Sequence, residues 1–161
     1  GTYNIDGSGL YTNADGSSGT WNTDGSGSET DAEGNSRSWD ADGNSSFTNS
    51  DGSSGTNNAD GSGSYTDAEG NSSTWDAEGN TTYSGADGSM ATYNIDGSGS
   101  YSDSQGNSYS WDSEGNGSFT NADGSSGSWN ADGSGSYTDA DGNTNEWDSQ
   151  GNVVETTAEV G

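Results

Sequence analysis

The side chains best suited to chemistry are pairs of acids two residues apart, each pair followed by glycine. Among them are Asp31 and Glu33, Asp40 and Asp42, Asp67 and Glu69, Asp76 and Glu78, and Asp139 and Asp141. Carboxylates at i and i+2 ahead of a glycine are hard oxygen donors of the kind calcium takes. Calcium is thus the candidate ion along these turns, and no cofactor is required. The pattern lacks the first acid and the distal glutamate of an EF-hand loop, and it departs from the Gly-Gly-x-Gly-x-Asp repeat of calcium β-rolls. The alternative is that these acids simply build turns. Catalysis finds less support. The chain has no His and no Cys, so it offers no imidazole base, thiol nucleophile, disulfide framework or zinc site. Every carboxylate pair recurs with the repeat, whereas a catalytic site is singular. The sequence reads as non-enzymatic.

The element that must position these acids is a nine-residue unit. Asn13-Ala14-Asp15-Gly16-Ser17 is one copy: Asn or Asp, a spacer, usually an acid, Gly, then Ser or Asn. Its glycine recurs every ninth residue from Gly7 to Gly151. Asn or Asp at the first position of a type I turn accepts hydrogen bonds from the backbone just ahead. The fourth position needs φ > 0, which Gly adopts without a Cβ clash. Such a turn closes a three-residue hairpin loop with a bulge. The spacing therefore predicts a hairpin at every unit, joined by strands of ordinary length. The closing residues covary: Asn with Ser, as in Asn49/Ser53, and Asp with Asn, as in Asp40/Asn44. Only Gly85/Ser89 departs.

Side-chain parity then decides between two architectures. Tyr11, Phe47, Tyr65, Tyr83, Tyr101, Phe119 and Tyr137 lie two residues before a closing residue. Trp21, Trp39, Trp75, Tyr93, Trp111, Trp129 and Trp147 lie one before. Side chains alternate faces along a strand, and direction reverses at each hairpin. An antiparallel meander puts all fourteen on one face. Identical stacked arcs would split the two rows between faces. The reading is all-β, a repetitive hairpin meander forming an elongated ribbon, with an 18-residue-coil β-solenoid as the alternative. The opposite face receives Thr and Ser, including Thr12, Thr20, Thr56 and Thr138. Aromatics fall beside strand glycines, Trp21 near Gly9 and Gly27 and Phe47 near Gly55, an arrangement that stabilises sheets. Glu29 falls opposite Arg37, the one basic side chain.

The chain has 161 residues and a net charge of −26. Such charge excludes nucleic acid as a partner, and no apolar run is long enough for membrane insertion. Nearly all the acids sit on turns; Glu29, Glu146, Glu155 and Glu159 do not. Residues 1–152 form one repeat array, and 153–161 a final strand or cap outside the pattern. Residues 45–71 match 117–143 at 22 of 27 positions, the mark of duplicated hairpin groups. The array opens in mid-repeat, as a segment of a longer repeat protein would.

Trp39-Asp40-Ala41-Asp42-Gly43-Asn44 and Trp75-Asp76-Ala77-Glu78-Gly79-Asn80 resemble the Tyr-Asp-x-x-Gly-Asn core of YD (RHS) repeats, and residues 2–152 carry a related rhythm. That resemblance implies a cell-surface or secreted hairpin array. Acidic, cysteine-free, Ser/Gly-rich composition leads to the same expectation of location. The function expected is structural: a fibre- or stalk-forming segment that self-associates into fibres or bundles through its aromatic face. An adhesin module binding calcium or polysaccharide, with sugar rings stacked on Trp, is the first alternative. Ice binding by the Thr/Ser face is the second.

Overall fold

Turn chemistry dictates the fold. A computed structural model describes residues 1–157, and the chain divides into two compact units, Gly1–Gly79 and Asn80–Gly161. All seventeen repeat glycines have φ between 82° and 99°. At Gly16 (φ 91°) the Asn13-to-Ser17 loop shows the geometry: Asn13 N donates to Ser17 O at 2.8 Å, and Gly16 N donates to Asn13 O at 3.1 Å. Any side chain there would be strained.

The first unit holds β1 (Thr2–Tyr3), β2 (Gly9–Thr12), β3 (Ser18–Trp21), β4 (Gly27–Thr30), β5 (Ser36–Trp39), β6 (Ser45–Thr48), β7 (Ser54–Asn57), β8 (Gly63–Thr66) and β9 (Ser72–Trp75). The second holds β10 (Thr81–Ser84), β11 (Met90–Tyr93), β12 (Gly99–Ser102), β13 (Ser108–Trp111), β14 (Gly117–Thr120), β15 (Ser126–Trp129), β16 (Gly135–Thr138), β17 (Thr144–Trp147) and β18 (Val153–Thr157). Within each unit every strand pairs antiparallel with the next, as in Tyr11↔Gly19 and Trp21↔Gly27. This is the meander, and stacked 18-residue coils are excluded.

Within each unit a strand contacts only its sequence neighbours, so each sheet is one layer thick. Among the described residues the only buried hydrophobic side chain is Ala91, and no large side chain is fully buried. Ser53 and Ser125, both turn-closing, are the buried polar residues. Cohesion therefore comes from ladder hydrogen bonds, cross-strand pairs and turns rather than from a core.

The segment expected to form a final strand or cap holds β18 over Val153–Thr157. β18 pairs with β17 through a register shift at Glu146/Trp147, and Glu146 faces Glu155, a like-charge pair that weakens this last step. Residues 158–161, including Glu159, lie outside the described residues.

Candidate functional site

The aromatic face is the surface in which the repeat concentrates its chemistry. Strand register places the fourteen expected aromatics on one face of their own unit's sheet. In the second unit, for example, Gly99↔Trp111 and Tyr101↔Tyr109 share that face, as do Phe119↔Gly127 and Gly117↔Trp129. Two further rings belong to it, Tyr3 and Tyr109. Tyr109 lies two residues before Trp111, so parity alone could have found it.

The two aromatic rows lean in opposite directions. Indoles lie back on the preceding strand: Trp21 over Gly9, Trp39 over Gly27, Trp75 over Gly63 and Trp111 over Gly99. Tyr and Phe lie forward on the following strand: Tyr11 over Gly19, Phe47 over Gly55 and Phe119 over Gly127. A Cβ at Gly55 would sit 2.6 Å from Phe47 Cε1, so the ring occupies the space that a side chain would need. Rings also meet one another. Tyr101, Tyr109, Phe119 and Tyr137 form a continuous run with centroids 6.2 to 6.3 Å apart. In the first unit the corresponding row contains Glu29 opposite Arg37. These two and Tyr11 and Phe47 are among the residues lining a shallow depression there.

The other face carries hydroxyls that bond to each other across strands. Thr20 and Ser28, Thr56 and Ser64, and Thr92 and Ser100 each lie 2.7 to 2.8 Å apart.

The turns come in two chemistries, and these explain the covariation. In the Ser type, Asn13 Nδ2 donates to Ser17 Oγ at 2.9 Å. Asp15 Oδ1 accepts from Ser17 N at 3.0 Å and from Ser17 Oγ at 2.7 Å. In the Asn type, Asp40 Oδ1 accepts from Asp42 N and Asn44 N, both at 2.9 Å, and Asp40 Oδ2 accepts from Asn44 Nδ2 at 2.7 Å. The Ser type needs Asp before its glycine, and all nine copies have it. The Asn type uses only that position's backbone, and there Glu, Asp and Gln all occur. At Gly85 the amide is missing; a Cβ would meet Ser89 Oγ and Asp87 Oδ1, which stand in its place.

These bonds favour the ionised carboxyl. The Ser17 hydroxyl, then its backbone N–H, hold Asp15 below the usual Asp range. The Asn44 side chain, then its backbone N–H, do the same for Asp40. The same direction holds at Asp24, Asp60, Asp96, Asp112 and Asp139.

Successive turns on one sheet edge are also tied together. Trp39 Nε1 donates to Gly25 O at 2.9 Å, and Trp75 Nε1 to Gly61 O at 3.0 Å. Trp111 and Trp147 repeat this with Gly97 and Gly133. Asn44 Oδ1 accepts from Ala59 N at 2.9 Å, and Asn116 Oδ1 from Ala131 N at 2.9 Å. These ties span 14 or 15 residues and skip a hairpin, which sequence parity does not reveal.

The acids expected to bind calcium divide in two. Asp31, Asp40, Asp67 and Asp139 each accept hydrogen bonds from their own turn, and Asp76 accepts from Gly79 N. Glu33, Asp42, Glu69, Glu78 and Asp141 are exposed. Among the described residues no group of three or more acids is gathered to hold a metal ion. The Asn-x-Ser/Thr triplets at Asn44, Asn71 and Asn116 have their amide nitrogens donated to Asp40, Asp67 and Asp112.

No family model and no curated protein matches the chain. Its fold does match solved structures. The G-box domain of the microcephaly protein CPAP, for which a role in centriole elongation is suggested, superposes with a TM-score of 0.68 at 16% identity, over 96% of this chain and 100% of that one. The TCP10 domain of Danio rerio CPAP gives 0.58 at 18% identity, over 98% and 99%. The Drosophila melanogaster SAS-4 TCP domain, solved with a proline-rich motif of Ana2, gives 0.56 at 19% identity, over 88% and 89%. At this identity the likeness establishes the fold. It also corrects one expectation. The expected secreted or cell-surface location does not stand: solved structures of similar fold include the CPAP G-box domain, for which a role in centriole elongation is suggested, and the SAS-4 TCP domain. Composition reported how an exposed sheet stays solvated, not the compartment in which it does so.

Proposed function

We propose that this chain is a non-catalytic structural repeat whose aromatic face makes protein contacts, in the first instance with other copies of itself. One observation carries the reading: within each unit, rings on one face of a single-layer sheet remain substantially exposed. Tyr65, Tyr83, Tyr101, Tyr109 and Tyr137 each keep about 40% of their surface accessible (39 to 42%). A contiguous exposed aromatic strip of this kind is characteristic of an interface. The acidic turns on either side keep the sheet soluble and make association depend on salt.

The test is sedimentation across a salt series, comparing the wild type with Tyr101→Ser/Tyr109→Ser/Tyr137→Ser. These rings cover no glycine in the described contacts, so the sheet should survive the change. Wild-type assembly that grows with salt and disappears in the triple variant, at unchanged far-UV circular dichroism, is the expected result. A wild type that stays monomeric throughout would refute self-association.

A second reading is favoured by the SAS-4 TCP domain, solved with a proline-rich motif. Polyproline segments dock on aromatic-lined surfaces, and the Tyr101-to-Tyr137 run offers one. Titration with a proline-rich peptide separates the two readings: saturable binding to a monomeric chain supports the peptide reading.

A further inference from the structure

We propose that Asp42-Gly43 is the site where the folded chain converts spontaneously to isoaspartate, with Asp141-Gly142 second. The chain contains one Asn-Gly step, Asn116-Gly117, and eleven Asp-Gly steps. Asn116-Gly117 is held: Asn116 Nδ2 donates to Asp112 Oδ2, its Oδ1 accepts from Ala131 N, and Gly117 lies in β14 paired with Trp111 and Trp129. The two turn chemistries sort the Asp-Gly steps.

The reaction needs no co-reactant. The glycine nitrogen attacks Cγ of the preceding aspartic acid. A C–N bond forms, the carboxyl C–OH bond breaks, and the hydroxyl leaves as water with the amide proton. The product is a five-membered succinimide. Water then adds to one of its two carbonyls. Opening at the main-chain carbonyl leaves isoaspartate, with the backbone routed through Cβ. Glycine favours the attack because no Cβ crowds its nitrogen.

Nine of the eleven steps lie in Ser-type turns. There the carboxylate is turned onto the closing serine, as Asp51 is onto Ser53 N at 2.8 Å and Ser53 Oγ at 2.7 Å. The carboxylate is thereby fixed in one orientation and is not free to swing onto the glycine nitrogen. These bonds also keep Asp51 ionised, Ser53 lowering its pKa, and a carboxylate is a poor electrophile. The glycine nitrogen is occupied as well: Gly52 N donates to Asn49 O at 3.0 Å, and the other eight lie at 2.9 to 3.1 Å.

Asp42 and Asp141 instead occupy Asn-type turns, where the position before glycine contributes only its backbone N–H. Among the described residues neither side chain has a hydrogen-bond partner in its turn; both are exposed. The two differ at the nucleophile. Gly43 N reaches Asp40 O at only 3.4 Å, whereas Gly142 N reaches Asp139 O at 3.0 Å. The longer bond leaves the Gly43 amide freer to attack. The six other Asn-type turns carry Glu or Gln at this position, whose longer side chain would have to close a six-membered ring. Asp42 is therefore where an unheld carboxyl meets a loosely held glycine nitrogen.

The experiment is ageing of the intact folded chain in warm, near-neutral buffer. Sites are read by peptide mapping with electron-transfer fragmentation, and by methyl transfer from labelled S-adenosylmethionine using an isoaspartate methyltransferase. Isoaspartate should accumulate first at Asp42, then at Asp141, and several-fold more slowly at the nine Ser-type steps. Asp42→Glu should remove the leading site. Ser53→Ala, which removes the Oγ bond and keeps the backbone one, should speed the reaction at Asp51 relative to the other Ser-type steps. In denaturant all eleven steps should react alike. Equal rates in the folded chain, absence of product at Asp42, or an Asp42 preference that persists in denaturant would each overturn the assignment.

Discussion

The two edges of each sheet are built from the same turns but are held differently. On the edge where indoles precede the turns, neighbouring turns are joined almost step by step. In the first unit Trp21, Trp39 and Trp75 reach back to Gly7, Gly25 and Gly61, and Asn44 accepts from Ala59. In the second unit Asn80 accepts from Ile95 and Asn116 from Ala131, while Trp111 and Trp147 reach back to Gly97 and Gly133. On the opposite edge Tyr or Phe stands one residue further from the turn. Ties there include Asn35 with Ser50 and Asn107 with Ala122. Moving an aromatic by one residue thus changes what it does. Next to the turn, an indole N–H reaches a glycine carbonyl; one residue further in, a ring only covers glycine and meets other rings.

Four measurements sharpen or break this contrast. Acidification should have the largest effect, and it should reach both edges. The turn aspartates are held below their ordinary pKa, so the unfolded chain binds protons first and stability falls as pH drops. The contribution is full above the ordinary Asp value of about 4 and is lost below it, as pH falls through the folded values. Amide exchange monitored down a pH series should show the Tyr/Phe edge opening before the Trp edge; simultaneous opening would remove the distinction.

Trp39→Ala comes next. It uncovers Gly27 and cuts the tie to Gly25, and should cost about 2 kcal/mol in a denaturant melt, combining a hydrogen bond with lost ring contact. Tyr65→Ala on the other edge has no turn tie to lose and should cost less. Trp39→Phe keeps a ring over Gly27 and should cost about 1 kcal/mol, the value of the tie alone. The smallest effect belongs to Asn35→Ser, which removes an isolated tie and weakens its own turn. Protection should fall at the Ser50 amide and stay unchanged at Ala59, which depends on Asn44.

Much of this was legible in the sequence, for identifiable reasons. A glycine every nine residues fixed the turns, and the one-residue offset between Tyr11 and Trp21 implied reversal of direction, so the meander and a common aromatic face followed from parity. The pairing of Asn49 with Ser53 and of Asp40 with Asn44 pointed to two closing chemistries. Other features lay beyond parity. That Trp39 leans back to Gly27 while Phe47 leans forward to Gly55 depends on side-chain direction and sheet twist. The Trp39–Gly25 and Asn44–Ala59 bonds skip a hairpin, so no pairing of adjacent strands predicts them. Tyr109 was within reach, since it shares the parity of Trp111.

The Asn-type turn has a consequence for how such a chain can change over time. Its position before glycine lends only a backbone N–H, so the side chain there is answerable to nothing else in the turn. Glu33, Asp42 and Gln105 fill equivalent places. Each such place is a dial on which surface charge can be stepped up or down one unit, copy by copy, while the hairpin beneath it stays as it was. A lineage of this sheet could therefore shed the six acids now at these places (Glu33, Asp42, Glu69, Glu78, Glu114 and Asp141), easing the repulsion between copies, without passing through a misfolded intermediate.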